Sequence, residues 1–179
     1  FCCSAAPNCA LWGDMVHGMS QALLAARRDR EGPGLKFLAM CCFLQYLMGR
    51  HFLIENSGAS KIFTESPLKV LNQLKLYQAK LDQCMYGAVQ DTVPIRKHSK
   101  FVSDFPLKGM DTRCDKTHSH QQLRGSGPLG SRTASAARYP PKLCDAILDS
   151  VTASRSTPQD GGRQVIMPYV FVDPTGFEE

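Results

Sequence analysis

The amino-acid sequence has no long apolar run, no signal peptide and no internal repeat. Its longest apolar stretch, residues 35–48, holds 14 residues and includes Lys36 and Gln45. A helix that crosses a bilayer needs about 20 mostly apolar residues. The stretch therefore indicates a core helix, and no part of the sequence is predicted to span a membrane.

The eight cysteines do not form a pattern typical of a disulfide framework. Cys2 and Cys3 are adjacent in sequence, as are Cys41 and Cys42, and adjacent cysteines are poorly placed for a set of disulfides. Because a signal peptide is also lacking, the sequence favours a reducing compartment, nuclear or cytoplasmic.

The sequence also lacks an initiator methionine. Its first residues, FCCSAAP, read as the inside of a structural element. We therefore expect a fragment whose missing amino-terminal part belongs to the same polypeptide. With 179 residues, the chain is long enough for one domain with a real core but short for two.

Positive charge is concentrated in one segment. The chain carries a net charge of +5, but residues 94–142 hold ten Lys or Arg against three Asp, so the rest of the chain is slightly negative. A local basic segment is the expected footprint of a protein that binds the nucleic-acid phosphate backbone. A solvated basic loop is the alternative.

The order of apolar patterns predicts an open α/β sheet. The pattern predicts a strand at the start, then a helix from Trp12 to about Arg30, and the GPG at 32–34 is expected to end that helix. In chain order, the further predicted elements are a helix at 35–48, a strand at 51–56, a helix from Ser66-Pro67, strands within 77–87 and 100–105, a closing helix at 141–151, a linker from 152 and a last short strand within 165–174.

A buried strand that ends in Glu55-Asn56 needs an explanation. An unpaired buried carboxylate costs more free energy than one buried apolar neighbour returns. Glu55 therefore lies at a solvated strand end or in a site that uses it. In open α/β sheets, sites form beyond the carboxyl ends of the strands, and this places the loop that contains Cys9 on the same edge as Glu55. The alternative for Cys9 is a buried structural residue.

A second group of residues has the character of metal ligands. Cys114, His118 and His120 lie close together in sequence, and zinc usually takes four ligands of these types. A fourth ligand would come from Cys84, Cys144 or Asp111, and the alternative is a polar loop that faces phosphate. The GSGPLG at 125–130 follows no predicted strand and opens no helix, so we do not assign it a nucleotide-binding role.

Several motifs, taken in order, resemble those of the cytosine-5 DNA methyltransferases. Pro7-Asn8-Cys9 and Glu55-Asn56 are similar to the Pro-Cys and Glu-Asn motifs of that family. Further along, DQCMYG at 82–87, PIRKHSK at 94–100, the Cys/His group and RYPPKLCDAI at 138–147 resemble the downstream part of divergent members, of the kind found in viral and mobile-element polyproteins. The similarity spans roughly residues 4–148.

The resemblance implies both a fold and a site. The fold would be a partial Rossmann-like methyltransferase sheet with flanking helices over 1–105, an irregular basic region with a closing helix over 106–151, and a linker and tail over 152–179. In the family, the Cys thiolate attacks carbon 6 of a flipped-out cytosine while the Glu holds the ring nitrogen and exocyclic amine. The catalytic residues implied here are Cys9, Glu55, Asn56 and Arg96, and the residues implied to bind nucleic acid, with DNA as the expected partner, are Lys97, Lys100, Arg124, Arg132 and Arg138.

The sequence departs from the family pattern at four places, one of which is His98, where relatives carry other residues. Asn8 stands between Pro7 and Cys9, Ser57 follows Asn56, and the Gly-rich loop that holds S-adenosylmethionine in the family is expected upstream of Phe1. The cofactor is therefore expected in the full-length parent, and the fragment alone is expected to be inactive. The alternatives are a non-catalytic nucleic-acid-binding segment of a retrotransposon-type polyprotein and a zinc-stabilised binding module.

Overall fold

The computed structural model describes residues 2–13, 16, 18–123, 125–127, 130–132 and 136–155. Its centre is a four-stranded sheet in the order β1-β2-β6-β3, flanked by helices, so the protein has a mixed α/β fold. The strands are β1 (Cys2–Ala5), β2 (His51–Ser57), β3 (Tyr77–Asp82), β4 (Val89–Gln90), β5 (Val93–Pro94), β6 (His98–Ser103), β7 (Ser126–Gly127) and β8 (Gly130–Ser131); the helices are α1 (Gln21–Leu47), α2 (Ile62–Glu65) and α3 (Pro141–Arg155).

The strand directions in the central sheet are mixed. Strand β1 is parallel to β2, and helix α1 makes the crossover between them, whereas β6 is antiparallel to both of its neighbours, β2 and β3. Strand β6 follows β3 through a short helical turn and the β4–β5 hairpin, with no crossover helix. A connection of this kind returns the chain antiparallel.

Helix α1 is a single helix, and the predicted break at residues 32–34 is wrong. Pro33 lies inside it, and Ser20 caps its start by accepting a hydrogen bond from the Leu23 N–H. Pro33 is exposed, so the lost backbone hydrogen bond falls on the solvent side. The buried face continues across the proline, through Leu24, Leu35, Ala39, Cys42 and Phe43, and its burial keeps the two halves in line.

The predicted start of the first helix at Trp12 is also wrong, because α1 begins at Gln21. Trp12 lies in a turn ahead of the helix and is 4 % exposed. The Arg28 guanidinium covers its ring, 4.5 Å from the centroid. Trp12 is therefore a core residue that packs against α1.

The two faces of the sheet have separate cores. Phe52 and Ile54 of β2 pack with α1, α2 and the segment after Ser66. Ser66 caps that segment by accepting from the Leu68 N–H, as the sequence predicts, but residues Pro67–Gln73 form a 3₁₀ helix instead of an α-helix. Leu53, on the other face of β2, packs with α3.

Helix α3 confirms the predicted closing helix. It begins at Pro141, and the three apolar residues predicted to share a face, Leu143, Ile147 and Val151, all belong to the second core. The helix continues to Arg155, past the predicted start of the linker at 152. The rest of that linker and the predicted strand within 165–174 lie outside the described residues. Within the described part of the chain, no helix is long and apolar enough to cross a membrane.

Candidate functional site

Four strand ends meet at one edge of the sheet. Because β1 and β2 are parallel, their carboxyl ends lie side by side, and β3 ends at Asp82 where β6 begins at His98. The loop after β1 contains Cys9, and the end of β2 contains Glu55 and Asn56. Residues that are far apart in sequence therefore meet at this edge.

The Cys9 loop is held in place by amide side chains. Asn56 Nδ2 donates a hydrogen bond to the Pro7 carbonyl at 2.8 Å. Asn8 Oδ1 accepts from the Ala10 N–H at 3.0 Å, and Asn8 Nδ2 donates to Glu31 Oε1 at 3.0 Å. Asn8, the residue that departs from the Pro-Cys motif, therefore shapes the loop and anchors it to α1. Cys9 itself is half-buried.

Glu55 is 7 % exposed and has three polar partners. Its Oε1 accepts from Ser99 Oγ at 2.7 Å and lies 3.7 Å from Lys97 Nζ. The third partner is Tyr139: burial raises the pKa of its phenol, and the charge and hydrogen bond of Glu55 raise it further. The buried carboxylate is thus paired with a positive charge and hydrogen-bonded, and these interactions offset the free-energy cost of burying it.

Glu55 and Asn56 point to opposite faces of the sheet, because successive side chains of a strand alternate. Asn56 shares its face with Phe52 and Ile54, on the α1 side, where it contacts the Cys9 loop. Glu55 shares its face with Leu53, on the α3 side. The structure therefore connects the Cys9 loop to Asn56 directly, whereas Glu55 lies on the opposite face of the same strand.

A chain of buried polar side chains extends from Glu55 to Gln83, in the helical turn that follows β3. Gln83 Nε2 donates to Ser99 Oγ at 3.0 Å, and Ser99 donates in turn to Glu55. Gln83 and Ser99 are fully buried. Sequence reasoning missed Gln83, Ser99 and Tyr139, although each lies in a matched motif, DQCMYG, PIRKHSK and RYPPKLCDAI respectively. Only the pairing of β2 with β6 brings Ser99 beside Glu55.

Asp82 is a fully buried carboxylate where several chain segments meet. Its Oδ2 accepts from Arg96 Nη2 at 3.3 Å, from Arg113 Nε at 3.2 Å and from the Cys114 N–H at 2.9 Å. Burial by itself raises the pKa of Asp82, but these hydrogen bonds outweigh it and lower the pKa to about 2. Arg96, predicted to be catalytic, is thus held by Asp82.

Four side chains form a cluster that could hold a metal ion. The ligand atoms of Cys84, Cys114, His118 and His120 all lie within 4.8 Å of one another. Burial, with the hydrogen bond and charge of Cys114, raises the pKa of the Cys84 thiol to about 11. The cluster therefore contains the three predicted ligands, Cys114, His118 and His120, and Cys84 is the candidate for the fourth ligand. Of the other two candidates, Cys144 is exposed on α3, and Asp111 accepts from the Lys80 N–H.

The remaining predicted nucleic-acid contacts are dispersed. Lys100 Nζ lies 5.0 Å from the centroid of the Phe63 ring, and burial, then the charge of Lys80, lowers its pKa. Arg132 is half-buried. Arg138 is exposed and lines a cleft of about 700 Å³ together with Tyr139. Arg124 lies outside the described residues.

Comparison of the chain with protein-family models, with curated proteins and with solved structures finds no match.

Proposed function

We propose that the chain is the catalytic half of a cytosine-5 DNA methyltransferase-like domain, with Cys9 as nucleophile and Glu55 as the residue that holds the target base. The supporting observation is that Asn56 ties the Cys9 loop to the end of β2, at 2.8 Å from the Pro7 carbonyl, while the adjacent Glu55 keeps a buried carboxylate at the same edge. In this proposal the sheet is the carboxyl-terminal part of a Rossmann-like sheet, and the partner is DNA.

The proposed chemistry is the capture of a flipped-out cytosine. The Cys9 thiolate forms a bond to carbon 6, and the electron pair of the ring's 5,6 double bond moves to carbon 5. Glu55 accepts a hydrogen bond from the exocyclic amine and, when protonated, donates to the ring nitrogen. Lys97, 3.7 Å from the carboxylate, balances its charge before the base arrives. Arg96 supports the flipped base and the DNA backbone.

The described residues do not fit S-adenosylmethionine. The loops after the parallel strands β1 and β2 read Ala6-Pro7-Asn8-Cys9 and Gly58-Ala59-Ser60, and neither is a Gly-rich loop that leads into a long helix. The chemistry proposed for the described residues therefore ends at base capture. Zinc, the metal that the Cys/His cluster favours, takes no part in it.

Covalent trapping tests the proposal on the chain as it stands. A DNA duplex with 2-pyrimidinone at one position offers an electrophilic carbon 6 that needs no methyl donor. We expect a denaturation-resistant complex on a gel, lost in Cys9→Ser because an unactivated hydroxyl is a far weaker nucleophile than a thiolate. Cys144→Ser is the matched control, since Cys144 is exposed on α3, and it should trap normally. Trapping that persists in Cys9→Ser would refute the assignment of Cys9.

One observation favours a second function, a non-catalytic nucleic-acid-binding segment of a mobile-element polyprotein. Glu55 already has Ser99, Lys97 and Tyr139 as partners, and this satisfied arrangement suits a structural carboxylate that no longer meets a base. Under this alternative the duplex binds but is never trapped, and Cys9→Ser changes stability without changing the affinity for DNA.

A further inference from the structure

Two ligand pairs of the Cys/His cluster have the spacing expected at a tetrahedral zinc site, and all four ligand atoms lie within 4.8 Å of one another. With Zn–S near 2.3 Å and Zn–N near 2.0–2.1 Å, ligand atoms around one zinc ion lie roughly 3.3–3.8 Å apart. Cys114 Sγ lies 3.4 Å from His120 Nε2 and 3.8 Å from His118 Nε2. Two sulfur and two imidazole donors are the set that zinc prefers at structural sites. Four protein ligands would fill the coordination sphere of a tetrahedral zinc ion and leave no position for water.

The surroundings of the cluster orient its ligands. His118 presents Nε2 to the sulfur while its Nδ1 lies 3.7 Å from Asp115 Oδ1, and the Thr117 N–H and hydroxyl hold that carboxylate. The Lys116 N–H donates to Cys114 Sγ at 3.3 Å, and Lys116 adopts a positive φ of 64°. A carboxylate behind a ligating imidazole and an amide directed at a thiolate are typical of the surroundings of a metal site. The unfavourable φ of a non-glycine residue marks a place where the backbone is held against its preference.

The ligands come from two parts of the chain. Cys84 lies in the helical turn after β3, whereas the other three ligands lie in residues 111–120, which form no helix or strand. A metal ion would crosslink this irregular segment to the end of β3. The crosslink reaches Asp82, because the backbone N–H of Cys114 itself donates to Asp82 Oδ2 at 2.9 Å, and Asp82 also accepts from Arg96.

We infer that Cys84, Cys114, His118 and His120 bind one structural zinc ion, and that this ion fixes the Cys114–Asp82 hydrogen bond through which Arg96 is positioned at the sheet edge. The metal site does not depend on the proposed methyltransferase-like function, and it would serve a binding segment equally well. Zinc is then part of the fold of residues 82–120, since metal binding and local folding are coupled.

Metal content and cobalt spectroscopy test the site directly. The full chain, purified without chelator, should carry about one zinc ion per molecule, as expected for a closed four-ligand site. Replacement of zinc by Co²⁺ should give the strong visible bands of a tetrahedral ion and a sulfur-to-metal charge-transfer band. Cys84→Ser and His120→Ala should lose the bound metal and these bands, while Cys144→Ser keeps both. A wild-type chain that neither retains zinc nor binds Co²⁺ overturns the inference, whether or not it traps DNA.

Amide hydrogen exchange tests the link to Asp82. Removal of zinc from the wild-type chain by a chelator should speed exchange of the Cys114 N–H by about tenfold or more, because the local segment then opens more easily. Asp82→Asn keeps the shape of the carboxylate but weakens its pairing with arginine, so it should raise exchange at Cys114 while zinc stays bound. An exchange rate at Cys114 that chelation leaves unchanged would show that the ion does not fix Asp82.

Discussion

Ser99 connects two buried polar side chains, Glu55 and Gln83, at the sheet edge. We expect its removal to lower the free energy of unfolding. Ser99→Ala removes the donor to Glu55 and the acceptor of Gln83 Nε2, leaving two buried polar groups short of a partner. We expect the free energy of unfolding to fall by about 1–3 kcal/mol, measured by urea denaturation. Ser57→Ala is the matched control, since Ser57 is the register partner of Ser99 on β2 and is half-buried. Equal losses in both variants would contradict a special role of Ser99.

At the scale of residues, the sequence predicted the position of the edge but not its hydrogen bonds. Glu55 and Asn56 stand out because polar residues end an apolar strand, and the edge rule for α/β sheets brings the Cys9 loop beside them. Ser99 carries no such signal: it is a serine in a short strand, and its neighbour Glu55 is 44 residues away. The Cys/His group was visible because its ligands are close in sequence, whereas the choice of Cys84 over Cys144 required the fold.

Helix α1 shows how packing can outweigh local sequence, and Pro33 tests this. Proline inside a helix costs about 3 kcal/mol, and part of that cost is offset because proline also restricts the unfolded chain, by about 0.4–1 kcal/mol. Pro33→Ala should therefore raise the free energy of unfolding by about 2 kcal/mol, measured by urea denaturation.

A loop proline provides the control for this prediction. Pro106 is exposed and lies outside the helices and strands, so Pro106→Ala should lower stability slightly, by up to about 1 kcal/mol. If α1 broke at residues 32–34, as the local pattern indicates, Pro33→Ala would behave like Pro106→Ala. A rise for Pro33 alone establishes one continuous helix.

At the scale of elements, the four strands of the central sheet could be predicted, but their directions could not. The apolar runs at 51–56 and 100–105 identify β2 and β6, and Pro141 identifies the start of α3. The direction of β6 depends on how the chain returns after β3, through a hairpin and turns in which Asp91 and Thr92 adopt positive φ. Asp favours turns, but Thr92 is β-branched and rarely adopts positive φ, so the sequence has no Asn-Gly or Asp-Gly pair to mark this hairpin.

For the molecule as a whole, the basic segment is less available to a partner than its sequence indicates. Arg96 and Arg113 pair with the buried Asp82, and Lys97 pairs with Glu55. Neutralising these residues would leave two buried carboxylates without these basic partners and would confuse lost binding with lost folding. A test of phosphate binding is therefore better directed at the exposed basic residues of the same segment.

Lys108, Arg138 and Lys142 are exposed basic residues of this segment, so they are available to contact phosphate. If the chain binds nucleic acid through its basic segment, affinity falls as salt rises, and each phosphate contact contributes about 0.9 to the slope of log affinity against log salt for a DNA duplex. Replacing all three by Gln should flatten that slope by up to about 3 units, measured by fluorescence anisotropy over a salt series. The control triple replaces Arg27, Arg30 and Lys36, which are exposed on α1, by Gln. These substitutions lower the net charge by the same amount. Because both triples change the overall charge equally, a flatter slope in the first alone places the phosphate contacts on the basic segment. Equal slopes in both triples would mean that net charge, and not this surface, attracts the nucleic acid.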